Sequence, residues 1–143
     1  MKNISVIYWS GTGNTEEMAR AIAEGAGINP DKVNLLKVEV ASKDDVIAAD
    51  AVALGCPPMG SESLEEDSME PFVESLKDVD FSGKQVALFG SYDWGGGEWM
   101  SDWESKMQGY GANLIQDGLI INLTPVEEGI KLCKQLGEKL AKA

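Results

Sequence analysis

The apolar run Ile4-Ser5-Val6-Ile7-Tyr8-Trp9 stops at Ser10-Gly11-Thr12-Gly13-Asn14-Thr15, and an apolar stripe at helical spacing (Met18, Ala19, Ile22, Ala23) follows at once. A buried strand leading through a short loop into an amphipathic helix commits the chain to strand–helix alternation. The alternation continues. Strands are expected at Val33 to Val40, at Ala51-Val52-Ala53-Leu54-Gly55, at Gln85 to Gly90, and from about Asn113 to Leu123 with a break at Asp117-Gly118 that implies a bulge or bend. Helices are expected from Asn14, with Asn14 as N-cap, Glu17 in capping-box position and Gly25 and Gly27 closing it. Others are expected at Asp44 to Ala49, Asp67 to Asp78, Glu98 to Gly109, and after Thr124-Pro125-Val126-Glu127, with Thr124 as cap and Pro125 at the first helical position. The uninterrupted apolar run 51–55 fits a central parallel strand buried on both faces. Five strands alternating with helices give a doubly wound α/β fold: a five-stranded parallel sheet, helices on both faces, right-handed crossovers.

At 143 residues and 43% apolar content the chain is sized for one domain, 1–143, with a packed core. No apolar run is long enough to cross a bilayer, and Met1-Lys2-Asn3 leads straight into a strand, so a cytoplasmic protein without leader or membrane segment is expected. Cys56 and Cys133 have no metal-ligand spacing and are expected as free thiols; no metal site is expected. The net charge of −12 argues against nucleic acid and for a basic partner face. The absence of histidine excludes Ser-His-Asp hydrolytic triads.

In a sheet of this kind ligands bind beyond the carboxyl ends of the strands. Three loops lie there, at 10–15, 56–63 and 91–98. The first alternates hydroxyls with glycines at a helix start and carries no cation, which suits a resident phosphate better than phosphoryl transfer. A dinucleotide fingerprint needs glycine where Glu16 stands, and a Walker loop needs a lysine. In the second loop Cys56 reads as packing, because the arginine of a phosphatase signature is replaced by Glu62. Met59-Gly60-Ser61-Glu62 reads as a tight turn with Gly60 at positive φ. In the third loop Trp94 stands beside Gly95-Gly96-Gly97 with little protein to pack on, and a flat ligand would supply the missing partner. Trp99 and Trp103, one helical turn apart, read as core.

The segments Tyr8-Trp9-Ser10-Gly11-Thr12-Gly13-Asn14-Thr15, Leu54-Gly55-Cys56, Met59-Gly60, Leu88-Phe89-Gly90-Ser91-Tyr92 and Trp94-Gly95, in this order, resemble the short-chain clostridial flavodoxins over essentially the whole chain. Flavodoxin is itself the standard example of strand order 2-1-3-4-5 with FMN at the switch point. The resemblance implies a low-potential one-electron carrier with non-covalent FMN, working between semiquinone and hydroquinone, and not an enzyme. It implies that Ser10, Gly11, Thr12, Gly13, Asn14 and Thr15 hold the FMN phosphate. It adds Pro57, Pro58, Met59, Gly60, Ser61 and Glu62 of the second loop and Ser91, Tyr92, Asp93, Trp94 and Gly95 of the third to the cofactor-binding residues, with the Asp93 backbone near the pyrimidine edge. Met59 would cover the inner face, Trp94 the outer, and Glu62 would accept from flavin N3. The Gly60 peptide would turn on reduction to accept from N5. Pro57 stands where the family often has a small polar residue, and Asp93 where it often has glycine. A carboxylate about 6 Å from the reduced, anionic flavin edge opposes that charge by roughly 3 kcal/mol at an effective dielectric of about 20, before solvent screening.

The partners implied are basic-faced reductases or oxidoreductases, with no nucleic acid and no membrane, and a monomer is expected. The acidic run Glu62, Glu65, Glu66, Asp67 and Glu70 reads either as a solvated helix start or as a steering surface for such partners. Two other readings compete. A small quinone reductase would need an open substrate pocket where Trp94 would stack. A phosphorylated receiver would need acids after the first strand and a lysine after the fifth, where Trp9-Ser10 and Asn122-Leu123 stand.

Overall fold

A computed structural model describes residues 3–27, 32–60 and 62–142. The chain runs β1 (Asn3–Tyr8), α1 (Asn14–Ala26), β2 (Lys32–Lys37), α2 (Lys43–Ile47), β3 (Ala51–Gly55), α3 (Met69–Glu74), β4 (Gln85–Tyr92), α4 (Glu98–Gly109), β5 (Asn113–Leu114), β6 (Leu119–Asn122) and α5 (Glu127–Lys142). The strands form one parallel sheet in the order β2-β1-β3-β4-β5, and β6 also pairs with β4.

The two-residue period of the strands divides the core. Ile4, Val6 and Tyr8, Ala51 and Ala53, Ala87 and Phe89 face α1 and α5, whose Met18, Ile22, Cys133, Leu136 and Leu140 cover them. Ile7, Val52, Leu54, Val86 and Leu88 face the opposite way, onto Val46 of α2, Met69 and Phe72 of α3, and Trp99 and Trp103 of α4. Both tryptophans are core, as their spacing predicts. The Trp99 indole donates to Cys56 O at 2.9 Å, whereas Trp103 Nε1 is buried without an acceptor among the described residues.

Several element boundaries differ from the sequence reading. Gly13, not Asn14, is the N-cap of α1, at φ 101 and without a side-chain cap bond. Glycine takes that backbone conformation at no steric cost, and Asn14 Oδ1 accepts from the Thr124 hydroxyl at 3.2 Å. Gly25 does not end α1; it lies inside it, because a Cβ there would strike the backbone of Lys134 as α1 and α5 cross, and Gly137 makes the reciprocal approach. The second strand ends at Lys37, and Val38–Val40 form a 3-10 turn. Helix α3 starts at Met69, since the Glu65 carboxylate holds the N–H groups of Asp67, Ser68 and Met69 at 2.8–2.9 Å and organises the turn before it; Ser75–Asp78 continue as a 3-10 turn. Pro71 falls in the first turn of α3, where its missing N–H costs nothing.

The last strand is split, as Asp117-Gly118 foreshadows. Val86 pairs with Leu114 and Phe89 with Leu119, so the outer strand spends extra residues on the same stretch of β4. The excess loops out at 116–118 and is held by a bond from Gly118 N to Glu104 Oε2 at 2.6 Å. Helix α5 begins at Glu127; Thr124 lies before it and does not cap it.

Candidate functional site

The register sets Tyr8 beside Gly55 and Gly55 beside Phe89, so the loops after β1, β3 and β4 leave from one edge of the sheet. Two polar ties join them. The buried Thr15 and Ser91 hydroxyls lie 3.0 Å apart, and Ser91 N donates to Thr15 Oγ1 at 3.3 Å, linking the first loop to the end of β4. The Glu62 carboxylate reaches the third loop, accepting from Gly96 N at 2.8 Å with one oxygen and from Trp99 N at 2.9 Å with the other. Helix α4 has glycine at its N-cap and no side-chain cap of its own, so Glu62 supplies one from a distant loop.

The first loop is built to receive an anion. Ser10 Oγ accepts from Gly13 N at 3.1 Å and Glu16 N at 3.3 Å, which curls the loop and leaves the hydroxyl proton free to donate. Among the described residues no protein acceptor engages the N–H groups of Gly11, Thr12, Asn14 or Thr15, and Thr12 is exposed. Unclaimed N–H groups at the start of a thirteen-residue helix are donors for a phosphate. Thr15 differs from its sequence assignment in one respect: its hydroxyl is occupied by Ser91, and only its N–H faces no protein partner. Residues 3–19 contain neither Lys nor Arg.

The second loop is a small hairpin. Met59 and Ser63 exchange backbone bonds, both at 2.8 Å, and Gly60 takes φ 55 at its tip, the positive value its sequence context predicts. Glu62 also takes positive φ, 58, which turns its side chain toward α4. Ser61 lies outside the described residues. Met59 and Gly60 line a cleft of about 370 Å³ with Trp9 and Glu66. Trp9 also packs over Gly11, so it bridges the first and second loops. Pro57 is half-buried and Pro58 buried. Cys56 is buried, and burial pushes its thiol up to about 12; it packs and does not react, as read from the sequence.

In the third loop Ser91 is buried, Tyr92 is half-buried against Trp99 with ring centres 5.7 Å apart, and Asp93, Trp94 and Gly95 are exposed. Trp94 is 44% exposed, one of the large exposed apolar side chains among the described residues. It does not line the cleft at Met59.

Three features escape a sequence reading. Glu65 reads as one solvated acid in a run of acids, yet it is 6% exposed and caps α3; its position two to four residues before the N–H groups it holds is the local signal. Glu62's tie to Gly96 and Trp99 has no local signal, because the partners are 34 and 37 residues away. The turn Asn122-Leu123-Thr124-Pro125 is a fourth segment at the same edge, tied to the first loop through Thr124 and Asn14 and to β4 through two bonds to Tyr92 O. Its place at the carboxyl end of the last strand marks it.

The sequence model of the Flavodoxin family matches residues 6–137. A flavodoxin of Clostridium beijerinckii is 44% identical over 138 residues, 96% of this chain and 99% of its own length. A flavodoxin of Megasphaera elsdenii is 44% identical over 140 residues, with 98% and 99% covered. The solution structure of two-electron reduced Megasphaera elsdenii flavodoxin superposes with a TM-score of 0.84 at 43% identity, over 98% of this chain and 99% of that one.

Proposed function

The chain belongs to the flavodoxin family, and on that premise we propose that its loops 10–15, 56–62 and 91–95 seat FMN between them. The protein is an FMN electron carrier, a redox partner of oxidoreductases and not an enzyme with a substrate of its own. FMN supplies reversible one-electron chemistry; the chain supplies its binding, its orientation and its potential.

The observation that supports the site assignment is the set of N–H groups at the start of α1 with no acceptor among the described residues, in a stretch, 3–19, without Lys or Arg. Gly11, Thr12, Asn14 and Thr15 would hold the phosphate through the backbone, and Ser10 and Thr12 through hydroxyls; Gly13 sets the curvature. Met59 and Trp94 would lie on opposite faces of the flavin, with Pro57, Pro58, Ser61, Ser91, Tyr92 and Gly95 around it. Glu62 has both oxygens engaged by N–H groups, but each keeps a lone pair, so it would accept from flavin N3 while still capping α4. Gly60, at φ 55 beside Met59, whose backbone bonds to Ser63 pin the hairpin, would turn its peptide at the least steric cost.

We read residues 1–143 as one unit, because a single sheet carries both halves of the core. We further propose a cytoplasmic monomer whose partners present basic faces, supported by the net charge of −12. Among the described residues no helix is long and apolar enough to cross a membrane. Titration of the apoprotein with FMN and with riboflavin tests the site. FMN fluorescence is expected to quench at one equivalent, and riboflavin, lacking the phosphate, to bind far more weakly. Equal affinity for the two would refute the role given to residues 10–15.

A further inference from the structure

Leu123 has φ 61 and is 53% exposed. A branched side chain is disfavoured in left-handed backbone, which glycine and asparagine accept more readily, and burial does not compensate here. The turn that imposes this geometry is firmly held. Leu123 N donates to Tyr92 O at 2.7 Å, Asn122 Nδ2 donates to the same oxygen at 3.0 Å, and Pro125 is buried. Ile130 N donates to Val126 O at 2.9 Å, which joins the turn to α5. Val126 is 68% exposed on this anchored segment.

The register shows what these side chains stand beside. Tyr92 pairs with Asn122, so Leu123 leaves β6 where Asp93 and Trp94 leave β4. Trp94, Leu123 and Val126 are therefore exposed apolar side chains on segments that adjoin at the carboxyl edge of the sheet. Exposed acids accompany them: Asp93 before Trp94, and Glu127 and Glu128 after Val126. Neither 85–105 nor 107–130 contains Lys or Arg. An apolar centre with acids outnumbering the single nearby Lys131 is complementary to a protein face whose apolar centre is ringed by Lys and Arg.

We propose that Leu123 and Val126 extend Trp94 into the apolar centre of the docking face, and that its occupant is a redox protein with an apolar patch in a basic ring. This rests on the FMN-carrier reading above. Acids steer the partner to the face; the apolar centre holds it there in a way salt does not screen. Neither Leu123 nor Val126 is assigned to the cofactor.

The test compares the parent with Leu123→Asn/Val126→Ser, both loaded with FMN and reduced, reacting with cytochrome c as basic protein acceptor and with ferricyanide as small acceptor. The double variant is expected to reduce cytochrome c roughly threefold or more slowly, because it has lost unscreened contact area. That deficit should persist at about 0.5 M salt, where charges are screened beyond a few ångströms, while a Glu127→Gln/Glu128→Gln variant becomes indistinguishable from the parent. Ferricyanide rates and FMN affinity should be unchanged, and the melting temperature equal or higher, since asparagine suits φ 61. Unchanged cytochrome c rates at both salt concentrations would overturn the proposal. An equal loss with ferricyanide would overturn it too, by placing the effect at the flavin. A parent that binds no FMN would instead refute the carrier reading, and this inference with it.

Discussion

Glu62 holds two positions in this molecule at once. Its carboxylate caps α4 through Gly96 N and Trp99 N, and the same carboxylate is the group proposed to meet flavin N3. The first role does not need the cofactor, so the two can be separated. Glu62→Ala is expected to destabilise the apoprotein by roughly 2–4 kcal/mol in urea unfolding, the scale of two hydrogen bonds to a charged acceptor. An apoprotein of unchanged stability would show that the cap carries no weight. Asp93 is the opposite case, an exposed side chain whose proposed effect runs through its electrostatic field. Asp93→Gly is expected to raise the potential of the second one-electron step, by well under the roughly 3 kcal/mol of the unscreened pair. Redox titration measures the shift, and an unchanged second potential contradicts the role. The hydroxyls, glycines and lone tryptophan of the site are legible in the sequence because their chemistry is unusual for a loop. Glu62 and Glu65 are legible as acids and not as caps, because the N–H groups they hold are identified only when the chain has folded.

At the scale of elements, β3, α4 and the start of the fifth strand match their sequence signals, since each is delimited by a change from apolar to turn residues. Where nonlocal geometry sets the boundary the sequence misleads: Gly25 has the composition of a terminator and the function of a helix-crossing contact. The join between α3 and α4 carries a charge pair, Glu74–Lys106 at 2.8 Å, and the Lys106 ammonium holds the Glu74 carboxyl below the usual carboxylate range. A carboxylate depressed in the folded state stabilises above its unfolded pKa, and that contribution is lost as pH falls through the folded one. Lys106→Met is therefore expected to lower the urea midpoint slightly at pH 7, with the difference from the parent closing below about pH 4. A gap that persists or widens in acid contradicts the assignment.

Across the whole molecule the sheet divides labour between its faces and its edge. The faces are closed by helices, with both cysteines buried and their thiols pushed up to about 12, so nothing reactive competes with the cofactor. The carboxyl edge gathers the unclaimed N–H groups, the glycine hairpin and the exposed Trp94, cross-linked by Thr15–Ser91 and Glu62–Gly96. In the proposed site that edge, with no Lys or Arg in residues 3–19, would oppose accumulation of negative charge on a reduced flavin and would attract the basic partners proposed above. The role proposed for this edge is to make FMN a one-electron carrier. Stepwise anaerobic reduction of the FMN-loaded protein, followed by absorption, tests it most directly. Two separated one-electron steps are expected, with a blue long-wavelength band rising to half reduction and then decaying, and a second potential well below that of free FMN. A single two-electron bleaching at the potential of free FMN would contradict it.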